Sequence, residues 1–127
     1  MIPVEFNEAN YLNLSTFRKT GVAVNTPVWF AHDGKHIYVL SAGNAGKIKR
    51  LKNSSRSAVA HCTYSGKLLG NWHPATGLLI DAEQARYAHG LFVKKYGLQM
   101  RAFDFFSWLG GRITKRIYIK LTIDQGI

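Results

Sequence analysis

The sequence predicts an α+β protein, mainly β, in which six antiparallel strands close into a barrel with short helices. Three observations support this fold class. Residues 22–31 and residues 117–123 alternate apolar and polar side chains, which is the period of a strand with one buried face. Asp33-Gly34 separates two strand-like runs and is a strong hairpin signal. Helical patterns are confined to short segments between the strands.

The first part of the chain is predicted to contain strands joined by turns, with one basic helix. Lys19-Thr20-Gly21 and Ser65-Gly66 are expected to form turns, and His73-Pro74 is expected to disturb the extended segment that contains it. The predicted strands cover residues 11–18, 22–31, 36–40 and 57–64, the helix covers residues 45–52, and a longer extended piece covers residues 67–80.

Two helices and a final strand complete the prediction. Asp81 followed by Gln84 is typical of a helix N-cap with a capping-box partner, and Gly97 is expected to end this helix. A second helix is predicted for residues 99–109. Its aromatic side chains are Phe103, Phe105, Phe106 and Trp108. They are expected to pack on the barrel; the alternative is that they cover a ligand pocket. The last strand has four apolar residues on one face: Ile117, Ile119, Leu121 and Ile123.

Length and composition indicate one globular domain over residues 1–127. Hydrophobic residues make up 46% of the chain and aromatic residues 13%, which excludes a disordered chain. Lysine and arginine number 17 against 7 acidic residues, and the formal net charge of +10 favours an anionic partner. Cys62 is the single cysteine, so no internal disulfide can form, and no targeting or membrane-spanning segment stands out. A soluble, cytoplasmic protein is expected.

The segment from Ser41 to Arg50 is the most informative part of the chain. Its small residues let a ligand approach the backbone, and the helix start within it offers N–H groups and a partial positive charge. Lys47, Lys49 and Arg50 add full charges, so the segment predicts a site for a phosphate or another compact anion. The glycine spacing excludes a Walker A loop, as does Ile48 at the position where a hydroxyl residue is required. An ordinary strand–loop–helix joint with a solvated basic face is the competing interpretation.

Several short motifs occur in the order and spacing of a known family. They are residues 24–30 (Val-Asn-Thr-Pro-Val-Trp-Phe), Asp33-Gly34, residues 37–39 (Ile-Tyr-Val) and residues 46–51 (Gly-Lys-Ile-Lys-Arg-Leu). In combination they resemble the pyridoxamine 5′-phosphate oxidase-like split barrels. They are most similar to the small members of that class called F420-dependent oxidoreductases. The resemblance extends from about residue 11 to residue 70.

The resemblance implies a homodimer of six-stranded split barrels with a flavin-type cofactor, FMN or F420, in a groove between the subunits. By analogy, four consecutive residues of one strand would line the ring system: Thr26, Pro27, Val28 and Trp29. Ser41 and Lys47 would hold the phosphate directly, and Lys49 or Arg50 would extend this anion site. The sequence does not separate FMN from F420, since both present a phosphate and a tricyclic ring.

The implied reaction is a hydride transfer to or from an unknown conjugated small molecule. The cofactor supplies that chemistry, so no acid–base residue is required, and none stands out as catalytic. True pyridoxamine 5′-phosphate oxidase activity is not expected, because the chain lacks the Arg-rich C-terminal segment of those enzymes. No metal site is predicted, since His32 and His36 flank the hairpin turn without a cysteine pair to support them.

Two alternatives from other functional classes remain open. The first is a non-catalytic barrel that holds a flavin, haem or another tetrapyrrole in the same groove. The second is a basic nucleic-acid-binding barrel, for which one stripe of cations would follow the phosphates: Lys47, Lys49, Arg50, Lys52, Arg56 and Lys67. The strand aromatics alternate with core positions instead of interleaving with these cations, so nucleic acid is the less favoured partner.

Overall fold

The computed structural model describes residues 2–43, 45–100, 102 and 116–124. Within these ranges the chain forms a closed barrel of six antiparallel strands in the order β1-β2-β3-β6-β5-β4. The strands and helices are β1 (Tyr11–Phe17), β2 (Ala23–His32), β3 (Ile37–Ala42), α1 (Gly46–Asn53), β4 (Arg56–His61), β5 (His73–Leu79), α2 (Ala82–Tyr96) and β6 (Arg116–Ile123). The predicted six-stranded antiparallel barrel with short helices is therefore confirmed.

Alternating side chains explain why these strands close around one core. In β1, Leu12 and Leu14 are almost fully buried, and they lie opposite Val28 and Thr26 of β2. Residues that face each other across an antiparallel pair lie on the same side of the sheet, so all four point into the barrel. Each inward row continues around the barrel with the apolar residues of the other strands, such as Ile119 of β6.

Both ends of the barrel are covered by short helical elements. At one end a 3₁₀ turn (Val4–Phe6) inserts the fully buried Phe6, whose ring meets Phe30 edge-on with the centroids 5.8 Å apart. At the other end α1 buries Ile48 and Leu51 in the same cluster. Burial of these side chains, and not helix propensity alone, holds so short a helix in place.

Helix α2 packs on the outer surface of β2, β3 and β6. Asp81 caps it, because its carboxylate accepts a hydrogen bond from the Gln84 N–H at 2.9 Å, and the helix ends before Gly97, as predicted. Phe92 is fully buried and forms a second cluster with outward-facing residues such as Tyr118. No helix in the described ranges combines the length and the apolar character needed to cross a bilayer.

The hairpin predicted at Asp33-Gly34 joins β2 to β3, with Gly34 at a φ of 88°. The Asp33 carboxylate accepts hydrogen bonds from the N–H groups of Lys35 and His36 and, at 2.6 Å, from the Tyr87 hydroxyl of α2. Partial burial acts to raise the pKa of Asp33, but these hydrogen bonds outweigh it and lower the pKa to about 2. The hydrogen bond from Tyr87 thus connects the turn to α2.

The segment of residues 67–80 differs from the prediction of one long extended piece. The strand begins only at His73. Pro74, which was expected to disturb the extended segment, lies within β5 and pairs with Ala58. A proline is tolerated near the start of a strand, where few ladder hydrogen bonds depend on its missing N–H. The helix predicted for residues 99–109 lies mostly outside the described residues, as do Phe103, Phe105, Phe106 and Trp108.

Candidate functional site

The N-terminus of α1 is the centre of the predicted anion site. Ala45 precedes the helix in an extended conformation, and its methyl side chain makes no capping hydrogen bond. Because Ile48 and Leu51 face the barrel core, the basic residues of the helix are directed to its other faces. Lys47 and Arg50 lie in the first half of the helix, near the end that carries the partial positive charge of the helix dipole.

Arg50 folds back over the start of its own helix. Its Nε donates a hydrogen bond to Thr16 Oγ1 at 2.6 Å, which ties α1 to β1. Its Nη1 lies only 2.8 Å from the position that a Cβ atom would occupy on Gly46. The absence of a side chain at Gly46 is thus what allows the guanidinium to rest there. The sequence motif Gly-Lys-Ile-Lys-Arg has a direct physical role in this contact.

Lys47 is half-buried beside this guanidinium. Burial and, to a smaller extent, the positive charge of Arg50 lower the pKa of Lys47. Of the described residues, none places a carboxylate within ion-pair distance of Lys47 or Arg50. A half-buried pair of cations at a helix N-terminus is costly unless an anion neutralises it, so this place is suited to a phosphate or carboxylate group.

The other two predicted anion-binding residues are arranged differently. Ser41 lies on β3 opposite Ile117 with only 5% of its surface exposed, and its hydroxyl donates to the Ala42 carbonyl at 3.0 Å. Lys49 is exposed on the far side of α1. The structure therefore brings Lys47 and Arg50 together, while the Ser41 hydroxyl is already bonded and Lys49 remains in solvent.

The residues predicted to line a ring system divide between the two faces of β2. Val28 is 9% exposed in the barrel core, and Thr26 lies on the same inward face. Pro27 and Trp29 alternate with them and face outward, opposite Asn13 and Tyr11 of β1. A ligand on the outer surface would meet the side chains of Pro27 and Trp29, but only the backbone of the other two.

Trp29 is stacked on Tyr96 of α2, with ring centroids 5.0 Å apart and planes 17° from parallel. The Tyr96 hydroxyl lies 2.8 Å from the Phe30 carbonyl oxygen and 3.0 Å from the Asn10 carbonyl oxygen. Burial, the largest influence, raises the pKa of Tyr96 to about 12. One face of the indole is therefore covered from within the chain.

Lys95 is a residue that the sequence did not single out. Its Nζ donates to the Phe30 carbonyl at 2.8 Å and lies 3.6 Å from the Phe30 ring centroid. Burial lowers the pKa of Lys95 to about 8. Lys95 and Phe30 are 65 residues apart in the chain, so no local sequence pattern reveals their contact. Cation–π and carbonyl contacts replace a carboxylate partner here.

Beside Pro27, the outer face of β1 is polar yet covered. Asn13 is 6% exposed, and its Nδ2 donates to the Gly66 carbonyl of the β4–β5 connection at 3.1 Å. Its Oδ1 is buried without a hydrogen-bond partner among the described residues. The same connection exposes Tyr64 and Leu69, by 76% and 55%. Large apolar side chains exposed on one connection are typical of a surface that another molecule covers.

The described residues contain no group of three or more His, Cys, Asp or Glu side chains arranged to hold a metal ion.

The fold is shared with several solved structures. A candidate 5-nitroimidazole antibiotic resistance protein of Bacteroides thetaiotaomicron matches with 19% identity over 93% of this chain and 75% of that chain, at a TM-score of 0.68. The heme storage protein HutZ of Vibrio cholerae matches with 15% identity over 94% of this chain and 85% of that chain, at 0.71. A candidate pyridoxamine 5′-phosphate oxidase of Listeria innocua matches with 15% identity over 94% and 87%, at 0.64.

No protein-family model matches the chain, and no curated protein matches it by sequence. At identities below one fifth, these similarities establish a common architecture and leave the ligand open. The barrel described here has the split-barrel fold of the pyridoxamine 5′-phosphate oxidase-like proteins.

Proposed function

We propose that the protein is an oxidoreductase that uses a flavin-type cofactor, FMN or F420, bound at the outer surface of the barrel between two copies of the chain. The observation that carries this proposal is the meeting of Lys47 and Arg50 at the start of α1. The cofactor phosphate would neutralise both cations and accept hydrogen bonds from the first turn of the helix.

The ring system would lie along the outward face of β2. There the side chains of Pro27 and Trp29 offer a flat apolar surface, while the backbone at Thr26 and Val28 supplies polar groups to the ring edge. When bound, the cofactor supplies the hydride chemistry. The chain itself would bind the phosphate, orient the ring and keep Trp29 fixed through its stack on Tyr96.

A second copy of the chain would complete the groove. Gly66 of the β4–β5 connection lies close to Pro27, and burial of the apolar side chains that this connection exposes would remove them from water. Light scattering checks this directly, and a monomer at concentrations where cofactor is bound would contradict the shared groove.

The direct experiment is a titration of the cofactor-free protein with FMN and, separately, with F420, followed by fluorescence at fixed salt. Saturable binding of one of them is expected. Lys47→Gln should weaken this binding by roughly 10- to 150-fold, since a hydrogen bond to a charged group contributes about 1.5–3 kcal/mol. The matched control is Lys52→Gln, which removes the same charge from the exposed last turn of α1 and should change the affinity less than about two-fold.

Two outcomes would refute the proposal. The first is that neither cofactor binds. The second is that the two lysine variants lose affinity equally, which would mean that the general positive charge of the protein, and not the geometry at α1, attracts the ligand.

A second candidate function is non-catalytic binding of a tetrapyrrole in the same groove. It is favoured by the similarity to the heme storage protein HutZ, at a TM-score of 0.71. Titration with haemin, followed by the visible absorption band, separates the two candidates. A stoichiometric complex with haemin, together with no binding of either flavin-type cofactor, would favour storage or sensing over oxidoreduction.

A further inference from the structure

A cleft on the outer surface of β4 and β5 holds two opposite charges apart. It has a volume of about 470 Å³, which is within the range of small-molecule sites. Its charged residues are Arg56, at the start of β4, and Asp124, directly after β6. Phe17 and Trp72 add aromatic side chains to its walls. None of its described lining residues belongs to the α1 site or to the outward face of β2.

Strand pairing determines where the two charges lie. The side chain of Ser57 is buried, so Arg56 and Ala58 on either side of it face outward. Ala58 pairs with Pro74 of β5, and these two small residues form an apolar floor. Asp124 lies on the other side of Pro74, because its N–H donates to the Pro74 carbonyl at 2.9 Å. The floor therefore separates the cation from the carboxylate.

Contacts within the chain keep both charges in these positions. The Arg56 guanidinium lies over the Phe17 ring, with its Cζ 3.9 Å from the ring centroid. Asp124 Oδ1 accepts a hydrogen bond from Thr76 Oγ1 at 3.1 Å. Within the described part of the chain, neither charge has an ion-pair partner. The N–H donors of the Arg56 guanidinium and the second carboxylate oxygen of Asp124 are thus available to a ligand.

We propose that this cleft binds a zwitterionic dipeptide. Its carboxylate accepts hydrogen bonds from Arg56, its ammonium group donates to Asp124, and its apolar side chain packs on Trp72. The backbones that carry the two charged residues are two inter-strand spacings apart, which is about 9–10 Å. The position of the guanidinium over Phe17 of β1, on the far side of β4 from β5, lengthens this separation.

The separation of the charges selects the length of the ligand. An extended dipeptide spans about 7 Å, and a hydrogen bond of about 2.8 Å at each end extends its reach to about 12–13 Å. A single amino acid with the same hydrogen bonds reaches only about 9 Å. The dipeptide is therefore the shortest peptide that meets both charges across the floor.

The test uses phenylalanyl-glycine as the probe, because it joins one ammonium group, one carboxylate and one aromatic ring. The full-length protein is titrated at constant ionic strength. NMR follows the indole ¹H–¹⁵N signal of Trp72, which is identified by its loss in Trp72→Phe. A saturable shift of this signal is expected, and Arg56→Gln and Asp124→Asn should each weaken binding by about 5- to 10-fold. Both side chains are exposed, and asparagine keeps an acceptor for Thr76, so both variants should fold normally.

Modified ligands assign each charge to its partner. Phenylalanyl-glycinamide lacks the carboxylate, so Arg56→Gln should not weaken its binding. N-acetyl-phenylalanyl-glycine lacks the ammonium group, so Asp124→Asn should not weaken its binding. A variant that merely disturbed the cleft would weaken the binding of all three ligands.

The control variant is Arg86→Gln, which removes an equal charge from an exposed position of α2 and should leave the affinity for the dipeptide unchanged. Equal losses in Arg56→Gln and Arg86→Gln would overturn the proposal. So would a signal of Trp72 that does not shift or does not saturate, or modified ligands that respond to both cleft variants as the dipeptide does. Equal affinity for L-phenylalanine would overturn the assignment to a dipeptide.

Discussion

Replacing Gly46 by alanine tests the contact on which the α1 site depends. Gly46 does not have a positive φ, so alanine fits the backbone without strain. Its Cβ, however, would lie 2.8 Å from Arg50 Nη1, which is closer than these two atoms can approach. The guanidinium must move away, and the 2.6 Å hydrogen bond from Arg50 Nε to Thr16 Oγ1 should then be lost.

The expected change in stability is the difference between two effects. A hydrogen bond from a charged donor contributes about 1.5–3 kcal/mol to the free energy of unfolding. Replacing a helical glycine by alanine raises it by about 0.5 kcal/mol, because the unfolded chain loses conformational freedom. Gly46→Ala should therefore destabilise the protein by about 1–2.5 kcal/mol. In an Arg50→Ala background the first effect is absent, and the same substitution should stabilise by about 0.5 kcal/mol.

The assay is urea unfolding of four proteins: wild type, each single variant and the double variant. Circular dichroism follows the barrel, and the four free energies form a double-mutant cycle. The sign of the Gly46→Ala effect should reverse when Arg50 is removed. If Gly46→Ala has the same effect in both backgrounds, within about 0.5 kcal/mol, then Arg50 does not rest on Gly46 and the account of the α1 site is refuted.

Three further substitutions test the packing and the electrostatics. Gly77→Ala should destabilise by about 1–3 kcal/mol in urea unfolding, because its Cβ would lie 3.0 Å from Leu51 Cδ2 and 3.1 Å from Leu121 Cδ2. Gly90→Ala is its control, because the new Cβ would have no atom within 4 Å among the described residues apart from the backbone of its own helix. It should stabilise α2 by about 0.5–1 kcal/mol, and equal losses in both variants would contradict the packing. The pKa of Lys95 is about 8 in the folded protein, below the ordinary lysine value of 10.5. The charged side chain therefore lowers the free energy of unfolding below pH 8, and this loss disappears as the pH rises to 10.5. Over that range the free energy of unfolding of the wild type should rise by about 1 kcal/mol relative to that of Lys95→Met; solvent screening makes this smaller than the full linkage value. A constant difference between the two proteins would show that the Phe30 carbonyl and ring fully stabilise the ammonium group.

The sequence predicted the elements whose signals are local. The alternation along β2 and β6, the turn at Asp33-Gly34 and the cap at Asp81 each depend on residues within a few positions of one another, and all are present in the structure. The start of β5 was missed because it depends on pairing with β4 and β6, where Pro74 costs little.

The candidate site was predicted in part for the same reason. Lys47 and Arg50 lie on one short helix, so their proximity follows from the helical repeat. The hydrogen bond from Arg50 to Thr16, the stack of Trp29 on Tyr96 and the burial of Lys95 join residues far apart in the chain. No periodicity encodes such contacts, because they arise only when the barrel closes.

Closure of the barrel at both ends has a kinetic consequence. Among the described residues, Phe6 fills one mouth and Ile48 with Leu51 fills the other, so their side chains pack the lumen as a core. A molecule bound on the outer surface would arrive and depart without opening this core. The residence time of that molecule would then be set by surface contacts. Its dissociation would be much faster than the rare opening events that allow hydrogen–deuterium exchange at core amides such as that of Ile119.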